Sequence, residues 1–356
     1  MTSPQPNQAL PDRFAGVLLG TAVGDALGLP AEGLSRGRIR RAWRGEWRHR
    51  FLFGRGMLSD DTEHALFVAQ ALLAHPDEAA AFQRCLAWKL RLWLLGAPAG
   101  IGLATLKAIL RLWVGFSPDR SGVRSAGNGP AMRSAIIGAY FADDAGQRRA
   151  FVAAATRLTH TDPKAETAAL AVAEAAAWIV KGAESTGALL DGLSGLGNDD
   201  EWQAICRRLG ESLAAGKSVQ EFADWLGLQD GVSGYAYHSV PVALYAWMRH
   251  PQDFRAALES ALDCGGDTDT VGAMVGALAG GQTGPGGIRR DWVDGICDRP
   301  RSPELLIRVA RRLAQQKLTR QTQGPVAYHW PLLILRSPVF VITVLAHGFR
   351  RLWPPY

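Results

Sequence analysis

The sequence predicts an all-α protein, folded as a single compact multi-helix domain. Apolar residues recur at helical spacing through most of the chain, and the alternating pattern of a half-buried strand is scarce. Alanine, leucine and glycine abound, and glycine- or proline-containing joints separate the periodic runs. With 356 residues, 47% hydrophobic and 20% charged, the chain can bury one large core or two ordinary ones. No internal repeat and no domain boundary before about residue 320 argues for one.

Taken in order, residues 1–12 are polar and proline-rich and read as disordered. A helix follows over 13–29. In it Gly16, Gly20, Gly24 and Gly28 line one face and permit very close backbone packing. Such spacing also occurs in membrane helices, but Asp25 interrupts the run, so a soluble core helix is the better reading. Residues 33–58 are basic, aromatic and glycine-rich, and read as a long loop of the kind that forms functional lids. Helices are expected over 61–74, 79–95, 101–113, 130–141, 147–159 and 164–182. More are expected over 199–213, 218–226, 239–249, 252–263, 269–281 and 303–318.

Residues 321–356 form an apolar and basic C-terminal extension to the domain of residues 13–320. Between Gly324 and Gly348 only Arg336 carries a full charge. Arg336-Ser337-Pro338 splits this stretch, and each uninterrupted half is too short to span a bilayer as a helix. A tail packed on the body or an oligomer contact is expected. A peripheral membrane or partner contact through residues 324–356 is the alternative.

The formal net charge is +6, much of it in the arginine-rich stretches 36–50 and 308–320. A phosphate-bearing substrate, nucleic acid or an anionic membrane would each suit that balance. Cys85, Cys206, Cys264 and Cys297 show no C-x-x-C spacing, which speaks against a zinc or redox site and suits a reducing compartment. The N-terminus has no hydrophobic signal core, so a cytoplasmic location is expected.

Two acidic clusters carry the chemistry. One reads Ser59-Asp60-Asp61-Thr62; the other reads Gly265-Gly266-Asp267-Thr268-Asp269-Thr270. Each precedes an alanine-rich helical run. The plainer reading is helix capping, since Ser and Asp are preferred N-caps and Asp60 and Glu63 have capping-box spacing. A cap needs one side-chain oxygen, however, and a second aspartate adds repulsion with no structural return. Two such clusters point to hard divalent cations, which take oxygen ligands.

Three further segments join them: residues 20–32, ending Leu29-Pro30-Ala31-Glu32; Gly127-Asn128-Gly129-Pro130; and Thr159-His160-Thr161-Asp162-Pro163. In content and order the five resemble the ADP-ribosylglycohydrolase family over about residues 13–285. That resemblance implies an all-α fold around a central binuclear cleft holding two Mg2+ ions, with Mn2+ as the alternative. It implies hydrolysis of the glycosidic bond between the terminal ribose of ADP-ribose and an acceptor, an arginine side chain being favoured.

By motif, Ser59, Asp60, Asp61, Asp267, Asp269 and Thr270 are the implied metal ligands. Asp60, Asp61, Asp267, Asp269 and Glu32 are the implied catalytic groups, without a choice of general base. Gly127, Asn128 and Gly129 are implied to receive the diphosphate, which suits backbone N–H groups before a helix; the same residues make an ordinary turn. His160 is implied to contact ribose, although alone it reads as structural. Asp25 reads as a helix-packing polar group. The segment 233–241, with Tyr235, resembles the family element lining the adenosine side, or is a core-packing loop. The stretches 36–50 and beyond 320 have no counterpart in the family core. Competing readings are a non-catalytic ADP-ribose binder, a membrane-associated regulator and a hydrolase acting on ADP-ribosylated nucleic acid. The expected partner is an ADP-ribosylated protein, met by a monomer or small homo-oligomer.

Overall fold

The glycine face of the first helix decides the architecture. In the computed structural model, which describes residues 10–43, 45–182, 185–329 and 331–353, α1 (Leu10–Gly28) lies against α14 (Thr268–Thr283) along its length. A Cβ placed on Gly16, Gly20 or Gly24 would sit 2.0, 1.9 or 1.9 Å from the carbonyl oxygen of Gly280, Gly276 or Gly272. The two backbones are in van der Waals contact, and no side chain fits between them. Both helices are buried on nearly all faces, which explains why their sequences are apolar all round rather than striped.

The other helices wrap this pair. They are α2 (Arg36–Ala42), α3 (Asp60–Ala74), α4 (Ala79–Leu94), α5 (Leu103–Trp113), α6 (Ala135–Tyr140), α7 (Ala145–Arg157), α8 (Pro163–Lys181) and α9 (Thr186–Ser194). Then come α10 (Asp200–Ala214), α11 (Val219–Trp225), α12 (Ala236–Arg249), α13 (Phe254–Leu262), α15 (Arg290–Gly295), α16 (Pro303–Thr319) and α17 (Leu332–Arg350). Among the described residues no strand forms; isolated bridges join a few loops. One large hydrophobic cluster runs from Phe14 to Val326, with Trp202, Trp247 and Trp292 fully enclosed.

Most helices expected from periodicity are present within two or three residues of their expected ends. Residues 10–12, assigned to a disordered leader, form the first turn of α1; the leader's residues 1–9 lie outside the described residues. The expected lid over 33–58 contains α2, capped by the Ser35 hydroxyl. The rest is pinned down: Trp47 Nε1 donates to Asp263 at 2.9 Å, Trp292 Nε1 donates to the Trp47 carbonyl at 3.1 Å, and Trp43 and Phe51 are buried. Tryptophans that find both burial and a hydrogen-bond acceptor make an anchored strap. Helices α9 and α15 were not expected; both are short.

The C-terminal extension is one helix, not two halves. α17 runs through Pro338 and is long and apolar enough to cross a membrane. Arg336, expected as a flanking charge, is 8% exposed and pairs with Asp298 at 2.7 Å and with Glu63 at 3.2 Å. Its guanidinium also donates to the Leu58 carbonyl. The inner face of α17 is therefore clamped to the body, as a packed tail should be, while most of the helix faces solvent.

Candidate active site

The two acidic clusters meet. Asp60 and Asp61 open α3 and Asp269 and Thr270 open α14; Asp60, Asp269 and Thr270 line the floor of one cleft, and Asp61 lies under it, joined to Thr270. The join is made by Asp25, in the last turn of α1. Its carboxylate accepts from the backbone N–H groups of Ser59 at 2.9 Å and Thr62 at 3.2 Å, and from the Thr62 hydroxyl. Asp25 thus caps α3 from another helix, the packing role read from its sequence position. Burial lifts its carboxyl to about 7 against these bonds. Glu63 does not close a capping box; it turns away to Trp93, Arg301 and Arg336.

The second cluster is set by backbone. Gly265 and Gly266 take φ of +73° and +81°, which a side chain would resist. This turn lets Gly266 exchange hydrogen bonds with Gly33 and Leu34 at 2.8 Å, and Asp267 N–H donate to the Val232 carbonyl at 2.8 Å. The loops carrying Glu32, Val232 and Asp267 are thereby joined. The Thr268 hydroxyl donates to the Gly28 carbonyl at 2.8 Å and locks α14 to the end of α1.

Around this floor stands a cavity of about 470 Å³. Its wall includes Glu32, Asp60, Asp267, Asp269 and Thr270, the loop Gly127-Asn128-Gly129, and His160. Asn128 Nδ2 donates to Asp267 at 2.6 Å and to Ser239 at 3.1 Å, so this asparagine orients an acid as well as lining the cavity. Ser59 and Asp61 sit just beneath. The hydroxyls of Ser59 and Thr270 both donate to Asp61 Oδ2, at 3.1 and 3.3 Å.

His160 is held by a relay. Buried Arg133 donates to the Thr159 hydroxyl at 2.7 Å, and that hydroxyl lies 2.9 Å from His160 Nδ1. The threonine oxygen accepts from the arginine, and its own proton lies between His160 Nδ1 and the Thr156 carbonyl at 3.5 Å. Nε2 faces the Gly127–Gly129 loop, where a Cβ on Gly127 would sit 3.1 Å from it. Burial, and next the Arg133 charge, pull the imidazole down to about 3, so the ring at the cavity wall is neutral.

The backbone of Tyr235 pairs with Gly127 of the cavity loop, and its side chain runs to other partners. Its hydroxyl accepts from Lys164 at 2.8 Å and donates to Glu201 at 3.0 Å, outside the cavity lining; Gly234 is the lining residue there. Sequence reasoning also missed the opposite wall, Gly100, Gly102, Leu103 and Thr105 at the start of α5, with Met132. The glycines before α5 were its only signal.

The donor set fits hard cations. Asp61 Oδ1 and Asp269 Oδ1 are buried with no protein partner. Burial raises the carboxyls of Asp60, Asp61 and Asp269 well above the ordinary range, and neighbouring acids push them further. No three His, Cys, Asp or Glu side chains among the described residues converge into a ready-made cage. The oxygens come instead from the starts of α3 and α14, joined where the Ser59 and Thr270 hydroxyls meet Asp61. A site rich in carboxylate oxygen and free of nitrogen and sulfur suits Mg2+ or Mn2+.

Known proteins place this arrangement. A family profile for ADP-ribosylglycohydrolases matches residues 6–323. An uncharacterized protein of Archaeoglobus fulgidus is 32% identical over 83% of this chain and 94% of its own. The ADP-ribosyl-[dinitrogen reductase] glycohydrolase of Rhodospirillum rubrum is 27% identical over 79% of this chain and 89% of its own. A solved structure described as an ADP-ribosylglycohydrolase-related protein complex superposes with a TM-score of 0.65 at 27% identity, covering 87% of this chain and all of its own. With its acids gathered on one cleft floor and the profile matched from end to end of the helical body, the chain belongs to the ADP-ribosylglycohydrolase family of hydrolases.

Proposed function

We propose that the cleft hydrolyses the bond between the terminal ribose of ADP-ribose and a protein side chain, arginine being the favoured acceptor, and that it does so with two Mg2+ ions. The observation that carries this reading is the pair of buried, unpartnered carboxylate oxygens on Asp61 and Asp269, at the starts of α3 and α14 and near enough for each charge to be felt. The relatives support it. One is named for dinitrogen reductase, and one from Pseudomonas putida, 27% identical over 82% of this chain, is named an ADP-ribosylarginine hydrolase.

Ser59, Asp60, Asp61, Asp267, Asp269 and Thr270 would hold the ions. Bound there, such ions supply Lewis acidity toward ribose hydroxyls and make a water more acidic. The protein's own groups do the rest. In hydrolysis the bond from the anomeric carbon to the acceptor nitrogen breaks, water supplies the new hydroxyl, and its proton passes to the leaving nitrogen. Positive charge builds on the sugar ring, and the carboxylates of Asp60, Asp267 and Asp269 along the floor stabilise it. Glu32, in the cavity wall, where burial and next the Asp267 charge raise its carboxyl, is placed to accept a proton. Asn128 N–H is held by the Gly234 carbonyl at 3.0 Å, so the neutral groups this wall offers to the diphosphate or ribose are the His160 ring and the N–H of Gly129.

The test is release of ADP-ribose from arginine-linked, serine-linked and RNA-linked conjugates, each with Mg2+ and with excess chelator. Metal-dependent release from arginine is expected. Release from RNA alone would move the acceptor to nucleic acid, the variant that the net charge of +6 favours. Silence on all three, with ADP-ribose still bound in a calorimeter, would leave a binding protein.

A further inference from the structure

Helix α17 has two faces of opposite character. Arg336, Phe340, Val344, His347 and Arg351 fall on one stripe at helical spacing and hold the body. Leu335, Val339, Ile342, Leu345, Phe349 and Trp353 fall on the opposite stripe and are exposed, Ile342 at 65% and Phe349 at 64%. The family match ends at residue 323, so this helix is an addition to the shared body.

Beside its C-terminal end lies the turn 51–55, joined to the helix by an edge contact between Phe51 and His347 at 5.0 Å. The tip of that turn, Phe53, is fully exposed. Between turn and helix lies a hollow of about 480 Å³ walled by Arg48, His49, Arg50, His347 and Arg350. Residues 47–58 and 324–353 contain no Asp or Glu at all. These two segments thus combine projecting aromatic and aliphatic side chains with arginines, and the nearest acid, Glu32, stands at the edge of the face beside Arg351. This is the complement of an anionic bilayer: apolar groups for the acyl boundary and cations for the headgroups.

We propose that this face docks on an anionic lipid surface, with α17 lying in the plane of the interface and the arginine-walled hollow receiving lipid headgroups. The helix does not span. Crossing would strip Arg336 from Asp298 and Glu63, leave buried Asp298 with no counter-charge, and carry an arginine into hydrocarbon. Lying flat keeps every inner contact. Arg351 donates to the carbonyls of Glu32 and Pro30, both at 2.7 Å, so docking brings the Glu32 rim of the cleft close to the membrane surface. Substrates held at that surface would then be the ones presented to the cleft.

Co-sedimentation of the full chain with vesicles tests this. Binding is expected to phosphatidylcholine vesicles doped with phosphatidylserine, to be weak on phosphatidylcholine alone, and to fall as salt rises. The variants Phe349→Asp and Ile342→Asp, both at exposed positions, should lose affinity about tenfold each while keeping the wild-type melting curve. Arg48→Glu should also weaken binding, and free inorganic phosphate should not compete. Three results would overturn the proposal. The wild-type chain could fail to bind anionic vesicles. The variants could bind as well as the wild type. Or the wild type could be a dimer that Phe349→Asp dissociates, with no vesicle binding, which would make the stripe an interface between copies of this chain.

Discussion

His160 is neutral because of where it sits, and this makes a measurable difference to stability. Its folded pKa of about 3 lies below the ordinary histidine value of about 6.5. Above pH 6.5 both folded and unfolded chains hold it neutral, and it makes no difference. As pH falls from 6.5 toward 3 the unfolded chain takes the proton and the folded one does not, so stability is lost. Replacing His160 by Gln removes this term. In urea titrations the variant should gain on the wild type by up to about 1.4 kcal/mol per pH unit across that window, and by nothing above it. Parallel curves would show that the ring is not held neutral. The acids behave differently. Asp269→Asn removes a buried like charge facing Asp61 and Glu32, so metal-free stability should hold or rise. Turnover with Mg2+ should fall about a hundredfold or more, as measured by ADP-ribose release. Both acidic clusters were legible in sequence because their spacing leaves no structural use for the second carboxylate. Tyr235 was not, because the direction of its side chain is set by Lys164 and Glu201, which lie far away in the chain.

The contact of α1 with α14 is the element most open to test. Gly20→Ala places a methyl 1.9 Å from the Gly276 carbonyl oxygen, with backbone on both sides and nothing to move cheaply. Overpacking of this kind costs about 3 kcal/mol or more, and here it also shifts Asp25 and the start of α3. Thermal melts should show a large drop and turnover should fall with it. Gly37 is the contrast. It lies exposed in α2 with nothing within 4 Å of its would-be Cβ, so Gly37→Ala should stabilise by about 0.5–1 kcal/mol. The four-residue glycine spacing of α1 announced the close approach. Its partner was equally readable, in Gly272, Gly276 and Gly280, but a sequence does not say which two small-residue faces meet. Helices α9 and α15 escaped notice for a simpler reason: with nine and six residues they give too few turns for a periodicity to stand out.

At the scale of the molecule, α17 is part of the body's electrostatics. Asp298 accepts from Leu58 N–H and pairs with Arg336, and Leu58 precedes the first acidic cluster. Arg336→Met should therefore cost about 3–5 kcal/mol, by stranding Asp298 and loosening the Leu58–Ser59 turn. A denaturant midpoint unchanged from the wild type would refute the clamp. The sequence hid this arrangement because Pro338, next to a lone arginine, reads as a break. In the folded chain the arginine is the anchor, and the proline sits on an exposed turn where its ring meets solvent.

The pairing of α1 with α14 also sets a timetable for synthesis. Leu10–Ala31 is long and apolar enough to cross a membrane, yet it is wholly buried once folded. The helix that covers it ends at Thr283. At ordinary elongation rates, roughly 10 to 50 s pass between the emergence of the first and the arrival of the second. For that interval the nascent chain carries a naked apolar helix. Its yield in a cell should depend on how fast a ribosome-bound chaperone covers that segment, more than on the final stability of the fold.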